Sequence, residues 1–389
     1  MNRKSSLFEN DLTNHEIELS HTISKSKFLV LGGAGTIGQA LVKEIFKRQP
    51  HKLHVVDISE NNLVELVRDL RSSIGYIKGD FKTFALDIGS IEYDQFFQSD
   101  GNYDYVLNLS ALKHVRSEKD PFTLMRMIRV NILNTEKTLE QSIHKKAKKY
   151  FCVSTDKATN PVNMMGASKR VMELLMMEKS QNIVVSSARF ANVLFSDGSL
   201  LHSFSQRIKK NQPIVAPLDV KRYFVSPEES GQLCLFSAIL GNNRDIFFPR
   251  LDEKKDLQTF DELAYLFLKN IGYKPYLCNS EKEAREIAKN NNLKNEWPCY
   301  FSKSNTSGEK PFEEFFTKDE TLDLSSFEAF GIIKNKLSVE KEKLLIFRNE
   351  INYLIDQNSW SRDEIIKILE ETVPEFKHLE TGSFLDDKM

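Results

Sequence analysis

Long apolar runs are missing from this 389-residue sequence. None approaches the ~18 residues that a helix needs to cross a bilayer, so a helical membrane span is not expected. The stretch Met1–Lys27 is polar and mixed in charge, without the apolar core of a signal peptide. Cysteines are few. Cys152, Cys234, Cys278 and Cys299 are scattered, with no metal-type spacing. They read as reduced thiols in a cytoplasmic protein, and no metal is expected. Neither sign of charge is in excess. With a formal net charge of -1, nothing electrostatic favours a nucleic acid or an anionic membrane as partner. Internal repeats and low-complexity tracts are also absent. What remains is ordinary for a globular protein, 40% hydrophobic and 28% charged, and long enough for two domains.

The most informative local pattern opens near residue 27. Lys27–Leu31 is a short apolar strand, and Gly32-Gly33-Ala34-Gly35-Thr36-Ile37-Gly38 follows it, leading into a helical pattern through Ile45–Phe46. Gly32, Gly35 and Gly38 have the G-x-x-G-x-x-G spacing. Glycines there allow a tight turn, close approach to a pyrophosphate and packing of helix on strand. The helix N-terminus then faces the phosphate charge. A glycine triplet alone is weak, but strand, helix and a well-placed acid together make a dinucleotide site the better reading. The acid is Asp57, ending the strand Leu53–Val56. Its carboxylate suits two ribose hydroxyls and would repel a 2′-phosphate. No Lys or Arg follows before Arg68, so NAD is expected over NADP. Asp57 also competes for the role of cap on the helix Asn61–Leu70.

Strand–helix alternation continues. Phe81–Leu86 reads as a third strand, with Asp87-Ile88 placed for the adenine edge or for a helix cap near Ser90. Tyr105–Leu109 is a fourth strand, ending in Ser110-Ala111-Leu112-Lys113-His114. Lys113 is a phosphate or substrate contact or a solvated loop lysine, and His114 reads as structural. Pro121–His144 is one long helix, with Asn131 bonding neighbouring backbone. Lys145–Lys149 is a solvated basic turn. After Ile183–Arg189 the alternation weakens. Pro213–Pro217, Tyr223–Pro227 and Ile246–Pro249 are short strands, Glu228–Leu240 and Phe260–Asn270 are helices, and Lys336–Leu354 and Arg362–Leu369 are amphipathic helices. These last two form an oligomer surface or a packed tail, and a homo-oligomer is expected.

The expected class is therefore α/β: a Rossmann-type doubly wound parallel sheet, a smaller α/β substrate-binding lobe and a helical C-terminal tail. Residues 1–26 form an N-terminal arm. Residues 27–190 form the NAD-binding domain, with 228–248 returning to it. Residues 191–227 and 249–334 form the lobe, and 335–389 the C-terminal extension.

One stretch lies where chemistry is expected. Tyr150–Val153 reads as a buried strand, and Ser154-Thr155-Asp156-Lys157-Ala158 follows directly. Lys169 precedes the helical pattern Arg170–Glu178. Ligands of open α/β sheets bind at the carboxyl ends of strands, and a carboxyl beside an amine there can move protons. A pair that only caps the strand end is the plainer alternative.

The glycine spacing, the acid and Lys169 resemble the extended short-chain dehydrogenase/reductase superfamily, whose Tyr-x-x-x-Lys here has Met165 for the tyrosine. Ala111-Leu112-Lys113-His114-Val115, Ser154–Ala158, Asn160-Pro161, Met165–Lys169, Asn192-Val193, Arg222-Tyr223-Phe224 and Gly308-Glu309-Lys310 narrow the likeness. They resemble the nucleotide-sugar 4,6-dehydratases acting on UDP-N-acetylglucosamine in bacterial polysaccharide and glycan biosynthesis, in the branch with Met in place of Tyr. Many members of that branch carry membrane spans and an extra nucleotide-binding domain, which these residues do not contain. Some have Arg where Asp197 stands, to meet the diphosphate; here Arg222 or Lys113 would have to do so.

The resemblance implies a lyase with no net redox change. Carbon 4 of the hexose loses hydride, the ketone acidifies carbon 5, water leaves across carbons 5 and 6, and hydride returns to carbon 6. Asp156 would protonate the departing 6-hydroxyl, Lys157 with a lowered pKa would take the carbon-5 proton, and Thr155 would bond the carbon-4 oxygen. Lys169 would bond the nicotinamide ribose. Met165 has no titratable proton, so Asp156 is also the candidate for deprotonating the 4-hydroxyl. The expected cofactor contacts are Gly32, Gly35, Thr36, Ile37, Gly38, Asp57, Ser59, Asp87, Ile88, Ser110, Ala111, Lys169 and Val193. The expected substrate contacts are Lys113, Asn192, Ser199, Arg222 and Glu309. A 4-epimerase, a 5-inverting dehydratase, a guanosine-linked substrate and a non-catalytic NAD-binding regulator are the alternatives.

Overall fold

In a computed structural model of the chain, residues 5–290, 293–335, 340–380 and 382 are described. Their centre is a nine-stranded sheet. From one edge to the other it runs Leu322–Asp323, Phe330–Lys334, Asp245–Pro249, Val184–Phe190, Lys149–Thr155, Tyr105–Asn108, Lys27–Leu31, Lys52–Asp57 and Asp80–Ala85. The seven strands from Asp245–Pro249 onward pair in parallel, and the first two pair antiparallel. Phe28, Leu29, Val30 and Leu31 are all fully buried, as a strand covered by helices on both faces requires. Strand order reverses direction at Lys27–Leu31, between Lys52–Asp57 and Tyr105–Asn108. That seam opens a crevice at the carboxyl ends of the strands.

Two three-stranded sheets build the smaller lobe: Asn192–Val193, Lys221–Val225 and Leu257–Thr259, and Ile214–Pro217, Glu296–Ser302 and Lys274–Leu277. A core of its own, including Phe204, Leu263, Leu268 and Trp297, holds this lobe together. Not all of 249–334 belongs there. Leu322–Asp323 and Phe330–Lys334 complete the main sheet, because Phe330, Ile332 and Ile333 bury their side chains in the large core and Lys334 pairs with Asp245.

The termini pack on the body. The helix Glu9–Ser24 is anchored where Asp11 accepts the Glu328 and Ala329 amides, and where Arg48 meets Glu16. The helices Lys341–Asp356 and Arg362–Thr372 cover the helices Pro121–Ile128 and Met164–Lys179, sharing a core of Leu344, Phe347, Ile351, Ile365 and Leu369 with Met125, Met165 and Val171. The expected start of the first C-terminal helix, at residue 336, lies outside the described residues.

Three expectations are corrected. The expected long helix over 121–144 carries a π-helical segment at Arg129–Leu133. There Asn131 bonds across space rather than along its own helix: it accepts from the Leu112 amide and donates to the Leu112 carbonyl and the Ser168 hydroxyl. Asp87 caps no helix. It accepts from the Gly89 amide, and Ser90 caps Ile91–Asp100.

The third concerns Lys149, expected in a solvated turn. It is 5% exposed, with its ammonium on the Ser237 and Gly241 carbonyls. Burial pushes its pKa down to about 7, against the opposing pull of Asp245. Between about pH 7 and pH 10 an unfolded lysine holds a proton that this one has lost. Stability therefore gains up to about 1.4 kcal/mol per pH unit from this group as pH rises through that window. Lys149→Met is expected to flatten the rise, measured by urea unfolding at intervals from neutral to alkaline pH.

Candidate active site

The glycine loop is shaped by close backbone contacts. The Gly32 and Gly33 amides both donate to the Val56 carbonyl. Gly32 has φ +71, and a Cβ there would sit 2.6 Å from the Ser110 nitrogen. A Cβ on Gly38 would sit 2.3 Å from the Gly32 carbonyl oxygen. Only glycine allows both approaches. The loop and the N-terminus of helix Thr36–Phe46 form one wall of a cavity of about 330 Å³. Asp57 is tied into this loop, with one oxygen accepting from the Ala34 amide and the other from the Ser59 amide, each at 2.9 Å. Ser59, and not Asp57, caps the helix Glu60–Ser73. Free amides at a helix N-terminus and a fixed carboxylate on the adjoining strand end suit a pyrophosphate and a ribose diol, so the residues present fit a dinucleotide.

The opposite wall comes from the strand end Val153–Thr155 and the helix Met164–Lys179. Lys157, Met165 and Lys169 all line the cavity. Thr155 closes the strand by accepting from the Lys157 amide, and its hydroxyl donates to Asp156 Oδ1 at 2.9 Å. Lys157 Nζ donates to the same oxygen at 3.0 Å. Asp156 is 2% exposed and sits behind the lining. Lys169 Nζ donates to the Val153 carbonyl at 3.0 Å, and burial lowers its pKa, with Cys152 and Glu173 opposing.

Lys157 departs from expectation. Burial pulls its pKa down, but Asp156 and Glu313 more than compensate and the net shift is upward. The resting side chain is a held ammonium and not the free amine that a base requires. Thr155 differs as well: it must give up its bond to Asp156 before it can donate to a substrate oxygen.

Of the other expected contacts, Gly35, Ile37, Ala111, Lys113, Asn192, Val193 and Ser199 line the cavity. Asp57, Ser59, Asp87, Ile88 and Ser110 do not. Ser110 packs against Gly32 instead, and Asp87 is exposed. Arg222 and Glu309 do not line the cavity either. Arg222 is 4% exposed and donates to the carbonyls of Lys221 and Lys310, and its other end reaches Glu309 at 3.5 Å. Burial with carbonyl partners nearby removes it from the diphosphate. Lys113 has no hydrogen-bond or ion-pair partner among the described residues. Burial lowers its pKa, with Asp197 opposing.

Three features escaped sequence reading. The Asp197 amide donates to the Thr36 hydroxyl, drawing the 194–199 loop over the glycine loop. Glu118 accepts from the Met165 amide at 2.7 Å, and burial pushes its pKa up to about 7. Glu313 stands 3.7 Å from the Lys157 ammonium. Its signal was one acid among three in the polar loop Gly308–Glu314, where nothing distinguishes it by composition.

A sequence model described as "Polysaccharide biosynthesis protein" matches residues 28–335. The chain belongs to that family. Its matched span includes the whole glycine loop, the Asp156–Lys157 pair and Glu313. Among relatives, an "Uncharacterized membrane protein" of Methanocaldococcus jannaschii is 28% identical over 91% of this chain and 98% of its own length. The capsular polysaccharide biosynthesis protein CapD of Staphylococcus aureus is 26% identical over 90% of this chain, which spans 54% of that longer protein. A UDP-glucose 4-epimerase of Rickettsia bellii is 30% identical, with 61% of this chain and 68% of the relative covered. None of the described helices is long and apolar enough to cross a membrane.

Solved structures agree on the fold of this family member. Pen from Bacillus thuringiensis superimposes with a TM-score of 0.65 at 22% identity, covering 86% of this chain and 98% of that one. The dTDP-glucose 4,6-dehydratase DesIV of Streptomyces venezuelae, solved with NAD and TYD bound, gives 0.57 at 14% identity, covering 87% and 99%. The chain thus has the architecture of the extended short-chain dehydrogenase/reductase epimerases and dehydratases that modify nucleotide sugars.

Proposed function

We propose that this family member catalyses NAD-dependent 4,6-dehydration of a nucleotide-linked N-acetylhexosamine, UDP-N-acetylglucosamine by preference, giving the 4-keto-6-deoxy sugar. The observation that carries the reading is the Asp156–Lys157 pair, bonded at 3.0 Å at the end of a central strand, with Lys157 opening into the cavity beside the glycine loop. An epimerase acts at carbon 4 alone and has no use for such a pair. When bound, NAD would supply the hydride acceptor and then the hydride donor. Gly32, Gly35 and Gly38 with the helix N-terminus would hold its pyrophosphate, Asp57 its adenosine ribose and Lys169 its nicotinamide ribose.

The chain's own groups then divide the protons. Asp156 is assigned as the acceptor for the 4-hydroxyl proton, which Met165 cannot take, once the Thr155 hydroxyl turns from its Oδ1 to the substrate. The same carboxyl returns that proton to the departing 6-hydroxyl, so water leaves without a solvent proton. Lys157 takes the proton from carbon 5 and gives it back when carbon 6 has been reduced. Lys113, at the cavity with no hydrogen-bond or ion-pair partner among the described residues and only the charge of Asp197 acting on it, is assigned to the diphosphate in place of Arg222. Purified protein incubated with UDP-N-acetylglucosamine is expected to yield a product lighter by one water in the mass spectrum, carrying partial deuterium at carbon 5 when run in heavy water, because the returned hydrogen is drawn from the exchanged ammonium of Lys157. A product of unchanged mass with carbon 4 inverted would make the chain an epimerase instead.

A further inference from the structure

Lys157 is asked to act as a base while two carboxylates hold its proton in place. The geometry around it offers a way out. Asp156 Oδ1 is occupied by the Thr155 hydroxyl as well as by Lys157, whereas Glu313, which is not part of the cavity lining, has its Oε1 3.7 Å from the ammonium Nζ. Glu313 is 3% exposed, and its Oε2 is enclosed without a hydrogen-bond partner among the described residues. A buried, unpartnered carboxylate oxygen is costly unless something occupies it in the working state.

We propose that Glu313 is the proton-holding partner of Lys157, taking the ammonium's extra proton as the sugar enters and returning it when the product leaves. This rests on the dehydratase reading of the same site. In the first step a Lys157 N–H bond breaks, its electron pair stays on nitrogen, and the proton bonds to Glu313, turning an ion pair into a neutral amine and a neutral acid. The amine's lone pair then takes the carbon-5 proton. The carbon–hydrogen electrons become the bond between carbons 5 and 6 as the carbon–oxygen bond at carbon 6 breaks. After carbon 6 is reduced, Lys157 returns its proton to carbon 5, and Glu313 returns the stored proton to Lys157. No proton is gained or lost from solvent.

The surroundings suit a proton shared between the two groups. From the strand Lys221–Val225, Arg222 Nη2 stands 3.8 Å from Glu313 Oε1, and from its own loop Lys310 Nζ stands 3.8 Å from Oε2. Both cations are engaged elsewhere, Arg222 on backbone carbonyls and Glu309, Lys310 on the Thr159 carbonyl. Asp156, from the turn that carries Lys157, adds like charge. Burial raises the pKa of Glu313, Asp156 adds to that rise, and Lys157, Arg222 and Lys310 restrain it. A carboxyl so placed is closer to the amine in proton affinity than a solvated one. Glu313 touches no substrate in this scheme and is a positioning residue acting through Lys157.

The test compares wild type, Glu313→Gln and Glu313→Asp by single turnover of UDP-N-acetylglucosamine on NAD-loaded protein, with a second readout that needs no substrate. Glu313→Gln is expected to slow loss of water at least tenfold and leave oxidation of carbon 4, followed by NADH absorbance, within about twofold. Its elimination rate should climb with pH, because Lys157 must now release its proton to solvent, and Glu313→Asp should recover most of the rate. In the second readout, Lys157 is acylated across a pH series and quantified by mass spectrometry. Loss of the Glu313 carboxylate should move the labelling midpoint down by about one pH unit. Where wild type does release water, an unchanged elimination rate and pH profile in Glu313→Gln overturns the proposal, whatever the labelling shows. An enzyme that never releases water but still shows the labelling shift would sink the dehydratase reading and leave the Glu313–Lys157 proton pair standing.

Discussion

Replacing Lys157 by alanine is expected to stop water loss from the nucleotide sugar and to leave NAD bound. The side chain lines the cavity and is hydrogen-bonded to Asp156, while the glycine loop forms the facing wall with Asp57 bonded to it outside the lining. A positioned acid–base group contributes about 10²–10⁴-fold to a rate, and removing this one takes away the proposed acceptor for the carbon-5 proton. The loss should fall on elimination. Carbon 4 would still be oxidised, so NADH should accumulate in the variant on mixing with UDP-N-acetylglucosamine. Two measurements check this: product mass over hours, and cofactor released on denaturing the purified variant. Turnover within tenfold of wild type would remove Lys157 from the chemistry. Loss of the bound cofactor would mean that the two walls are coupled more tightly than their contacts show.

The second large effect concerns stability. Arg189→Met is expected to cost about 3–5 kcal/mol, because it strands two carboxylates in the interior. Arg189 is 1% exposed and bonds Glu173 through two nitrogens, at 3.0 and 2.9 Å. It also reaches Glu320 twice, the Thr159 hydroxyl and the Phe315 carbonyl. Glu173 itself is fully buried. Burial alone would raise its pKa, but Arg189 and Arg170 together bring it down to about 2. A carboxyl whose folded pKa is depressed contributes stability above its unfolded pKa of about 4.3, and that contribution is lost as pH falls toward 2. Wild type should therefore weaken steeply across that acid window, and Arg189→Met much less so. Urea unfolding at neutral pH and at pH 3 would show both. A loss under about 1 kcal/mol at neutral pH would mean that Arg170 alone satisfies Glu173.

That network also bears on function. Through Thr159 and Phe315 it joins the turn after Asp156-Lys157 to the segment after Glu313. The two halves of the proposed proton pair come from chain segments about 150 residues apart and share one buried arginine as their floor. Arg189 reads in the sequence only as the end of a strand, since an arginine before an apolar residue gives no sign of burial.

Much of the architecture was legible beforehand. The strand Lys27–Leu31, the glycine spacing and the acid ending the second strand are local signals, each set by what a few neighbouring residues can do. So is the Asp156–Lys157 pair, whose adjacency in the chain already forces adjacency in space. These features pointed to the α/β class, to a loop that fits a dinucleotide and to the strand end where the proposed chemistry would sit.

Tertiary structure decided the rest, because it depended on which distant groups meet. Lys149, the last of a basic run, is buried because its strand lies in the middle of the sheet, where backbone carbonyls from another helix receive its ammonium. Arg222 has the chemistry of a diphosphate ligand, yet the loop 308–313 closes over it and turns it inward. Glu313 differs in no local respect from Glu309 or Glu314, and only the fold brings its carboxylate to Lys157. Spacing along the chain fixes what a residue can do with its neighbours. Burial and long-range pairing fix its charge state, and on that charge state the acid–base chemistry proposed for this site turns.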